Sequence, residues 1–362
     1  MKKLRKPHLI LGAILIITSA ALAGCQPSNT TNNNTNNNNG TKYKISDYYP
    51  FTANLKTVYE GKGNEYASKT EYVDYIKGDK IQIRSDNGGT VSARVLQNIN
   101  GELIQLNSKG EVYYKQDMTA ETASQNLVLL KEPLVKGTSW TLPDGSKRAI
   151  TGTDVSVTTP SGDYKALEVT TTNKDTSVNK DYYVLQKGLV KSVLTVNGSD
   201  ISSSLKEYVA DAAYTSTVRM YNFKVTTTDI QTVYKEVDVS LKTNDEIKDV
   251  FQRYFRQSLG AGTGTVPLIS ANTVINSLTV KPDEGKAYID FTSQFESEMN
   301  AGTTKETGVI RSVADTIGHY YGVDKVIITL DGKPYTSGHI AMEPGEYFPT
   351  NYVGEKKVTA VP

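Results

Sequence analysis

The clearest pattern of hydrophobic and polar positions lies in the last third of the chain. Two short runs, 273–280 and 286–291, are rich in Val, Ile, Tyr and Phe, and Pro282-Asp-Glu-Gly285 between them favours a turn. In the second run Ala287 and Ile289 alternate with polar neighbours, which is the period of a strand with one buried face. This pattern predicts a β-hairpin.

A helix and a buried strand are predicted after this hairpin. Thr303 followed by Glu306 fits a capping box, and Gly322 is suited to end the helix. The next apolar run, 325–330, predicts a strand that ends in the hairpin signal Asp331-Gly332. The apolar positions at helical spacing are Val309, Val313, Ile317 and Tyr320.

A strand and a second helix are predicted upstream of the hairpin. Residues 233–241 favour a strand, and 245–259 show helical spacing of apolar residues. Thr243 and Glu246 fit another capping box, and Gly260 is the predicted residue after the helix C-terminus. The apolar stripe consists of Ile247, Val250, Phe251, Tyr254 and Phe255.

Four motifs occur in this region in a characteristic order. They are Val266-Pro267, Ala287-Tyr-Ile-Asp-Phe291, Ile327-Ile-Thr-Leu-Asp-Gly-Lys-Pro334 and Gly338-His339-Ile340. With the order of elements, they resemble the GerMN domain family, sporulation and spore-germination modules of bacterial envelope lipoproteins. The resemblance covers roughly 232–347 and implies a small α+β domain with two helices on one face of a sheet. It implies a role through interaction with envelope proteins or peptidoglycan, and it carries no catalytic signature.

Residues 43–210 predict a separate β-rich domain. Short runs of β-branched and aromatic residues alternate with turn signals such as Asp86-Asn-Gly-Gly89 and Asn98-Ile-Asn-Gly101, which is typical of antiparallel hairpins. A strongly curved sheet or half-barrel lets so many linked hairpins bury one face. The predicted strands are 80–84, 90–96, 102–106, 111–114, 149–159, 164–172, 182–185 and 189–196.

The chain is therefore predicted to be α+β, with an all-β antiparallel domain followed by a small α+β domain. Residues 211–231 show no clear period and are interpreted as the connection, with some strand character at 218–225. Residues 348–362 are interpreted as a C-terminal tail. The lone Trp140 is interpreted as a core residue, because aromatic side chains in a β domain usually fill the core. The alternative is that Trp140 lines a groove, which would make the domain a carrier of an apolar or peptide-like ligand.

Residues 1–24 have the form of a targeting segment, with a basic start, an apolar run and small residues up to Cys25. Leu22-Ala-Gly-Cys25 resembles the lipobox of bacterial lipoproteins, in which the cysteine receives a diacylglyceryl group. The resemblance implies that acylated Cys25 anchors the protein in the lipid bilayer, on the extracytoplasmic face of a bacterial membrane. An ordinary signal peptide with a chance cysteine is the alternative. The Asn/Thr-rich stretch 25–42 is expected to be a disordered tether.

Charge and composition exclude one class of partner. The formal charge is +1, but four of the 40 basic residues lie in the targeting segment, which leaves 36 basic residues against 39 acidic ones. A mature charge of about −3 gives no electrostatic case for binding nucleic acid. The single cysteine, if acylated, leaves no partner for a disulfide.

The sequence offers no catalytic, metal or cofactor site. His319 and His339 are the only histidines after the targeting segment, and one histidine near Glu343 falls short of the three or four ligands of a zinc site. No nucleophile-elbow, Walker or dinucleotide motif occurs. Asp290 would need a second carboxylate for glycosidic chemistry, and nothing in the sequence places one beside it. A wall-modifying hydrolase is therefore the weakest alternative.

The predicted helix over 303–321 offers a candidate interaction surface. Arg311, Asp315 and His319 recur every four residues, away from the apolar stripe. The pattern favours an exposed face that could dock envelope proteins or a second copy of the chain, and a merely solvated face is the alternative. The sequence thus predicts a non-enzymatic, membrane-anchored lipoprotein that binds envelope components.

Overall fold

The computed structural model describes residues 43–226 and 229–359. Its N-terminal half forms an antiparallel sheet of twelve strands. The predicted signal peptide, Cys25 and the tether lie outside the described residues. Most predicted strands of this region are confirmed, but 111–114 form a loop. The strands are β1 (Lys56–Lys62), β2 (Lys69–Lys77), β3 (Lys80–Asp86), β4 (Val91–Ile99), β5 (Glu102–Lys109), β6 (Leu127–Lys131), β7 (Ser139–Thr141), β8 (Lys147–Thr159), β9 (Gly162–Thr172), β10 (Val178–Val184), β11 (Gly188–Val196) and β12 (Ser199–Val209).

The sheet curls until its two edge strands meet, which confirms the predicted curved sheet. Two meanders, β1 to β6 and β7 to β12, are joined where β1 pairs with β12, so that β6 and β7 are the edges of a nearly closed sheet. Two side chains, one on β7 and one on the adjacent strand β8, reach across to β6. Trp140 Nε1 and Arg148 Nη1 both donate to Val128 O, at 3.1 and 2.9 Å. Trp140 also packs against the apolar core, as predicted, and it completes the seam between the edges.

The concave side of this sheet is filled by apolar side chains and by the first residues that the structure describes. A short helix, α1 (Ile45–Tyr48), buries Ile45 and Tyr48 among them, and it is held by a 2.7 Å bond from Gln186 N to Asp47 O. The alternation of strand side chains supplies the rest of the core. Its other buried members are Val73, Ile81, Ile83, Leu96, Leu103, Leu130, Leu134, Ile150, Leu167, Val169 and Tyr183.

The C-terminal half combines a long hairpin, a mixed sheet and three helices. The predicted hairpin, the strand over 325–330 and the helix over 303–321 are confirmed, and Gly322 ends that helix at φ +67°. The elements are β13 (Tyr214–Val225), β14 (Ile230–Leu241), α2 (Ile247–Phe255), β15 (Ile275–Lys281), β16 (Lys286–Phe291), α3 (Gln294–Ser297), α4 (Thr303–Tyr321), β17 (Lys325–Leu330), β18 (Lys333–Pro334), β19 (Phe348–Pro349) and β20 (Lys356–Lys357).

Three sequence interpretations of this half need correction. The stretch 211–231, interpreted as a connection with strand character at 218–225, contains the longer strand β13, which pairs with β14 along its whole length. Helix α2 ends at Phe255, with Arg256 as its C-cap, so Gly260 is not the residue that terminates it. The predicted tail contributes β19, which pairs with β17, and β20, which pairs in parallel with β14.

Helix α4 lies between the hairpin β13–β14 and the mixed sheet, and so it is buried on more than one side. A Cβ at Gly308 would lie 2.6–2.8 Å from the Phe223 ring of β13, closer than side chains pack. On the same side, Tyr221 N donates to Thr316 Oγ1 at 3.0 Å. Gly308 and Thr316, which interrupt the apolar stripe of α4, therefore form its contact with the hairpin β13–β14.

Neither predicted capping box forms, because one residue of each box, Thr243 in the first and Glu306 in the second, makes other contacts. Thr243 Oγ1 donates to Val73 O and accepts from Asn54 N, both at 2.7 Å, so it joins the two halves of the chain. Glu306 points into the protein, where it is 3% exposed. The residues that precede helices α2 and α4 directly, Glu246 and Gly302, make no side-chain cap.

A buried ion pair lies on the nearly closed sheet, where the sheet contacts strand β13 of the C-terminal half. Arg84 and Asp74 are at most 1% exposed and approach to 2.9 Å. Arg84 also donates to Val112 O and Tyr114 O at 2.5 and 2.7 Å, and its guanidinium carbon lies 4.9 Å from the centre of the Tyr214 ring. One arginine thus holds strand β2, the loop after β5 and strand β13 together.

The loop after β5 continues this junction. Lys115 N donates to Tyr320 of α4 at 2.8 Å, and Lys115 Nζ donates to Lys242 O at 2.5 Å. Val280 N of β15 donates to Gln116 Oε1 at 3.1 Å. The described residues accordingly form one compact unit. Among them, no helix is both long enough and apolar enough to cross a bilayer.

Candidate functional site

The predicted interaction surface on α4 is largely covered by the chain itself. Asp315 is completely buried, Arg311 is partly buried, and only His319 is exposed. Residues 348–358, which we call the C-terminal strap, cross this part of the helix. Asn351 N donates to Asp315 Oδ1 and Arg311 Nη2 donates to Asn351 O, both at 2.7 Å. The expectation that Arg311 and Asp315 lie on a free face is therefore wrong, while a docking role for His319 stays a prediction.

Charged and aromatic contacts hold the strap down along its length. Glu355 accepts from Tyr221 at 2.7 Å and from Arg219 at 3.0 Å. Lys357 Nζ lies 2.5 Å from Glu236 Oε2 on β14. Tyr352 packs with its ring centre 5.5 Å from that of Tyr221. These contacts could not be predicted, because the strap is short, polar and without period in the sequence.

Asp315 is a buried charge that its neighbours compensate only in part. Its Oδ2 lies 3.5 Å from Arg311 Nε, but neither atom makes a hydrogen bond with any described residue. Burial raises the pKa of Asp315 to about 6, and the bond from Asn351 N and the charge of Arg311 offset this only in part. The folded protein therefore binds a proton at Asp315 more tightly than the unfolded chain does.

We expect Asp315→Asn to increase thermal stability at pH 7. Since the folded pKa lies above the ordinary value of 3.8, the wild type gains stability as pH falls from 6 towards 4, and at pH 7 it carries the cost of a buried ion. Asparagine keeps an acceptor for Asn351 N without that charge. The gain should be roughly 1 kcal/mol at pH 7 and should shrink as pH falls through 6.

Melting curves between pH 4 and pH 8 measure this difference. Asp324→Asn, at an exposed position just after the same helix, is the matched control and should leave the pH profile of the melting temperature unchanged. Parallel profiles for wild type and Asp315→Asn would contradict a raised pKa at Asp315.

A second cluster lies at the other end of α4, around buried Glu306. Tyr335 OH donates to Glu306 Oε1 at 2.8 Å, and His339 Nδ1 lies 2.7 Å from Oε2. Burial alone would raise the pKa of Glu306, but bonds from Ser337, Tyr335 and His339 outweigh it and lower the pKa. Glu306 is therefore a buried carboxylate that stays ionised at neutral pH.

A cavity of about 270 Å³ opens beside this cluster. Sequence reasoning missed it for two reasons. Glu306 fits a helix cap, and the carboxylate considered for His339 was Glu343, whereas its partner lies 33 residues upstream. The Gly338-His339-Ile340 motif was the only signal. The polar residues that line the cavity include Glu296, Asn300, Glu306, Tyr335, Ser337 and His339.

Asp290 has a structural role in the hairpin turn after β17. Its Oδ1 accepts from Thr329 Oγ1 at 2.6 Å and from Gly332 N at 2.8 Å, and its Oδ2 accepts from Asn276 Nδ2 at 2.8 Å. Burial opposes ionisation, but these donors outweigh it and lower the pKa of Asp290. A proton donor for glycosidic chemistry needs a raised pKa, so this environment does not suit Asp290 to that role. Within 43–226 and 229–359, no three His, Cys, Asp or Glu residues form a metal-binding group.

The inside of the nearly closed sheet has little room for a ligand. A cavity of about 40 Å³ lies beside Glu71, which is bound by Lys69 at 2.8 Å and Arg94 at 3.1 Å. Ligand pockets typically measure about 300–1,000 Å³, and this one holds roughly one water molecule. The carrier interpretation of the β-rich domain therefore gains no support from its interior.

Comparison with known proteins finds a family model that matches part of the C-terminal half. Residues 208–336 match the Germane model, described as sporulation and spore germination. No curated protein matches the chain. Among solved structures, the tandem GerMN domains of the sporulation protein GerM from Bacillus subtilis match with 19% identity over 39% of this chain, at a TM-score of 0.25. The match spans 45% of that structure.

Two further structures are similar to parts of the chain. One, described as an exported protein with a YmcC-like fold from Bacteroides fragilis, matches with 11% identity over 45% of this chain and 98% of its own length, at a TM-score of 0.28. The other, described as a lipoprotein from Clostridium perfringens, matches with 17% identity over 33% of this chain and 76% of its own, at a TM-score of 0.21. The GerMN resemblance is confirmed, and the lipobox at Cys25 stays a prediction.

Proposed function

We propose that this protein, whose residues 208–336 form a Germane domain, is a lipid-anchored extracytoplasmic protein that binds envelope components in sporulation or germination. Peptidoglycan is the first ligand to test, and envelope proteins are the second. The domain binds without chemical conversion of its ligand. The Cys25 anchor holds it at the outer face of the cell membrane.

The match to the Germane family carries this proposal, and the geometry of the polar groups supports it. Asp290 is engaged in locking a turn, and Arg311 and Asp315 are engaged by the C-terminal strap. The polar cavity at Glu306 has room for a small ligand. Concave sites with a few converging polar groups are the usual form of ligand-binding sites.

The rigid junction between the two halves fits a binding role. Arg84 and the loop after β5 hold the Germane domain against the nearly closed sheet. Because the loop after β5 is held by buried polar groups, it fixes the orientation of this domain relative to the β-rich domain. The β-rich domain then serves as a spacer and platform.

Co-sedimentation with isolated peptidoglycan sacculi tests the proposal. The purified full-length protein should enter the pellet with sacculi and stay in the supernatant without them. A parallel crosslinking reaction with soluble envelope proteins tests the second class of ligand, and mass spectrometry identifies the crosslinked partners. Failure of the protein to associate with either preparation would contradict a binding role.

A further inference from the structure

We propose that the cavity beside Glu306 binds a ligand through a primary ammonium group. The inference deepens the proposed function, since it names the chemistry by which the Germane domain would recognise an envelope component. An amino sugar and a diamino acid both carry such a group. The cavity itself does not distinguish these two sources, so the experiment below compares them.

The floor of the cavity is a preorganised carboxylate. Glu306 is 3% exposed and Tyr335 is fully buried, so neither side chain can relax into water. Tyr335 OH donates to Glu306 Oε1, His339 Nδ1 lies against Oε2, and the Ser337 side chain makes a third hydrogen bond to the carboxylate. A carboxylate has about four acceptor positions, so about one remains for a ligand. An ammonium group has three donors and no acceptor, which suits this arrangement.

The charge of the lining favours a cation. Glu306 and Glu296 line the cavity, and no lysine or arginine belongs to the described residues that line it. Lys305 lies nearby, but it lines a neighbouring cavity and donates to Met299 O at 3.0 Å. A buried carboxylate without a full counter-charge attracts a cation strongly, because the local dielectric constant is low.

The N-terminus of α4 does not turn this cavity into an anion site. Glu306 stands in the first turn of the helix, where its carboxylate offsets the positive end of the helix dipole. An anionic ligand would meet this carboxylate and Glu296 at close range. Like charges in such a site repel, so phosphate and carboxylate ligands are disfavoured.

The size of the cavity limits the ligand. A volume of about 270 Å³ is just below the typical range for small-molecule pockets. One sugar ring or one amino-acid side chain fits, whereas an acyl chain or a folded peptide does not. His339, with 41% of its side chain exposed, stands at the mouth, and Glu306 holds its ring in place.

The test is a titration of the full-length protein with three probes, in which NMR or calorimetry measures binding. Glucosamine and 1,5-diaminopentane carry the ammonium group, and N-acetylglucosamine is the matched neutral sugar. We expect binding of at least one amine and at least tenfold weaker binding of N-acetylglucosamine. Tighter binding of glucosamine would identify an amino sugar as the source of the ammonium group. Tighter binding of diaminopentane would identify the side-chain amine of a diamino acid. Equal binding of glucosamine and N-acetylglucosamine, or no binding of either amine, would overturn the proposal.

Substitutions locate the site. Glu306→Gln should raise the Kd of the bound amine at least tenfold, and exposed Glu343→Gln, outside the cavity, should leave it unchanged. If Glu306→Gln does not fold, Glu296→Gln decides, because Glu296 stands at the partly exposed rim and should weaken binding severalfold. Unchanged amine affinity in the folded variants would overturn the site. Amine binding without association to either sacculi or envelope proteins would contradict the proposed function alone.

Discussion

Replacing Arg84 by methionine should lower the free energy of unfolding by about 3–5 kcal/mol, the usual cost of leaving one partner of a buried ion pair alone. Asp74 would remain buried and charged, since its side chain is 1% exposed. Val112 O and Tyr114 O would each lose a donor as well. The loss should fall on the junction, because Arg84 touches β2, the loop after β5 and β13 at once.

Urea unfolding measures this loss of unfolding free energy. Two further variants show whether the loss comes from the ion pair. Lys165→Met removes an exposed pair with Asp154 at 3.6 Å and should shift the unfolding midpoint very little. Adding Asp74→Leu to Arg84→Met should recover part of the loss, because an apolar pair replaces the orphaned charge. A midpoint for Arg84→Met equal to that of Lys165→Met would show that the ion pair does not stabilise the junction.

Replacing Cys25 by alanine should abolish both lipid labelling and membrane attachment. The thiol is the only one in the chain, and the predicted acylation has no alternative site. Two acyl chains anchor a protein stably, since each buried methylene contributes about 0.8 kcal/mol. The loss of attachment should therefore be complete rather than graded.

Growth with a radioactive fatty acid, followed by membrane fractionation, measures both effects. Ser28→Ala, three residues downstream in the predicted tether, is the matched control and should be labelled like the wild type. Equal incorporation of label into Cys25→Ala and wild type would contradict the lipobox interpretation.

The elements with a regular pattern were predictable from the sequence. The hairpin β15–β16, helix α4 and strand β17 follow from alternation, from 3.6-residue spacing and from the glycine at position 322. The nearly closed sheet follows from its many hairpin turns. In each case the information is local, because neighbouring residues specify the element that they form.

The features that depend on distant residues were not predictable. A helix buried between two sheets shows a weaker stripe than a surface helix, so the face with Asp315 looked solvent-exposed. The strap that covers it pairs with β14 over only two residues. Glu306 meets His339 across 33 residues, and both capping glutamates satisfied a local rule that the tertiary structure overrides.

A single incubation tests the central claim that the protein binds the envelope without chemical conversion. Purified full-length protein is mixed with isolated sacculi and sedimented, and the pellet is assayed for protein while the supernatant is assayed for released reducing sugar and peptide, with a wall hydrolase as positive control. The account predicts protein in the pellet and no release above the blank. Release of sugar or peptide that grows with time and with protein concentration would contradict it.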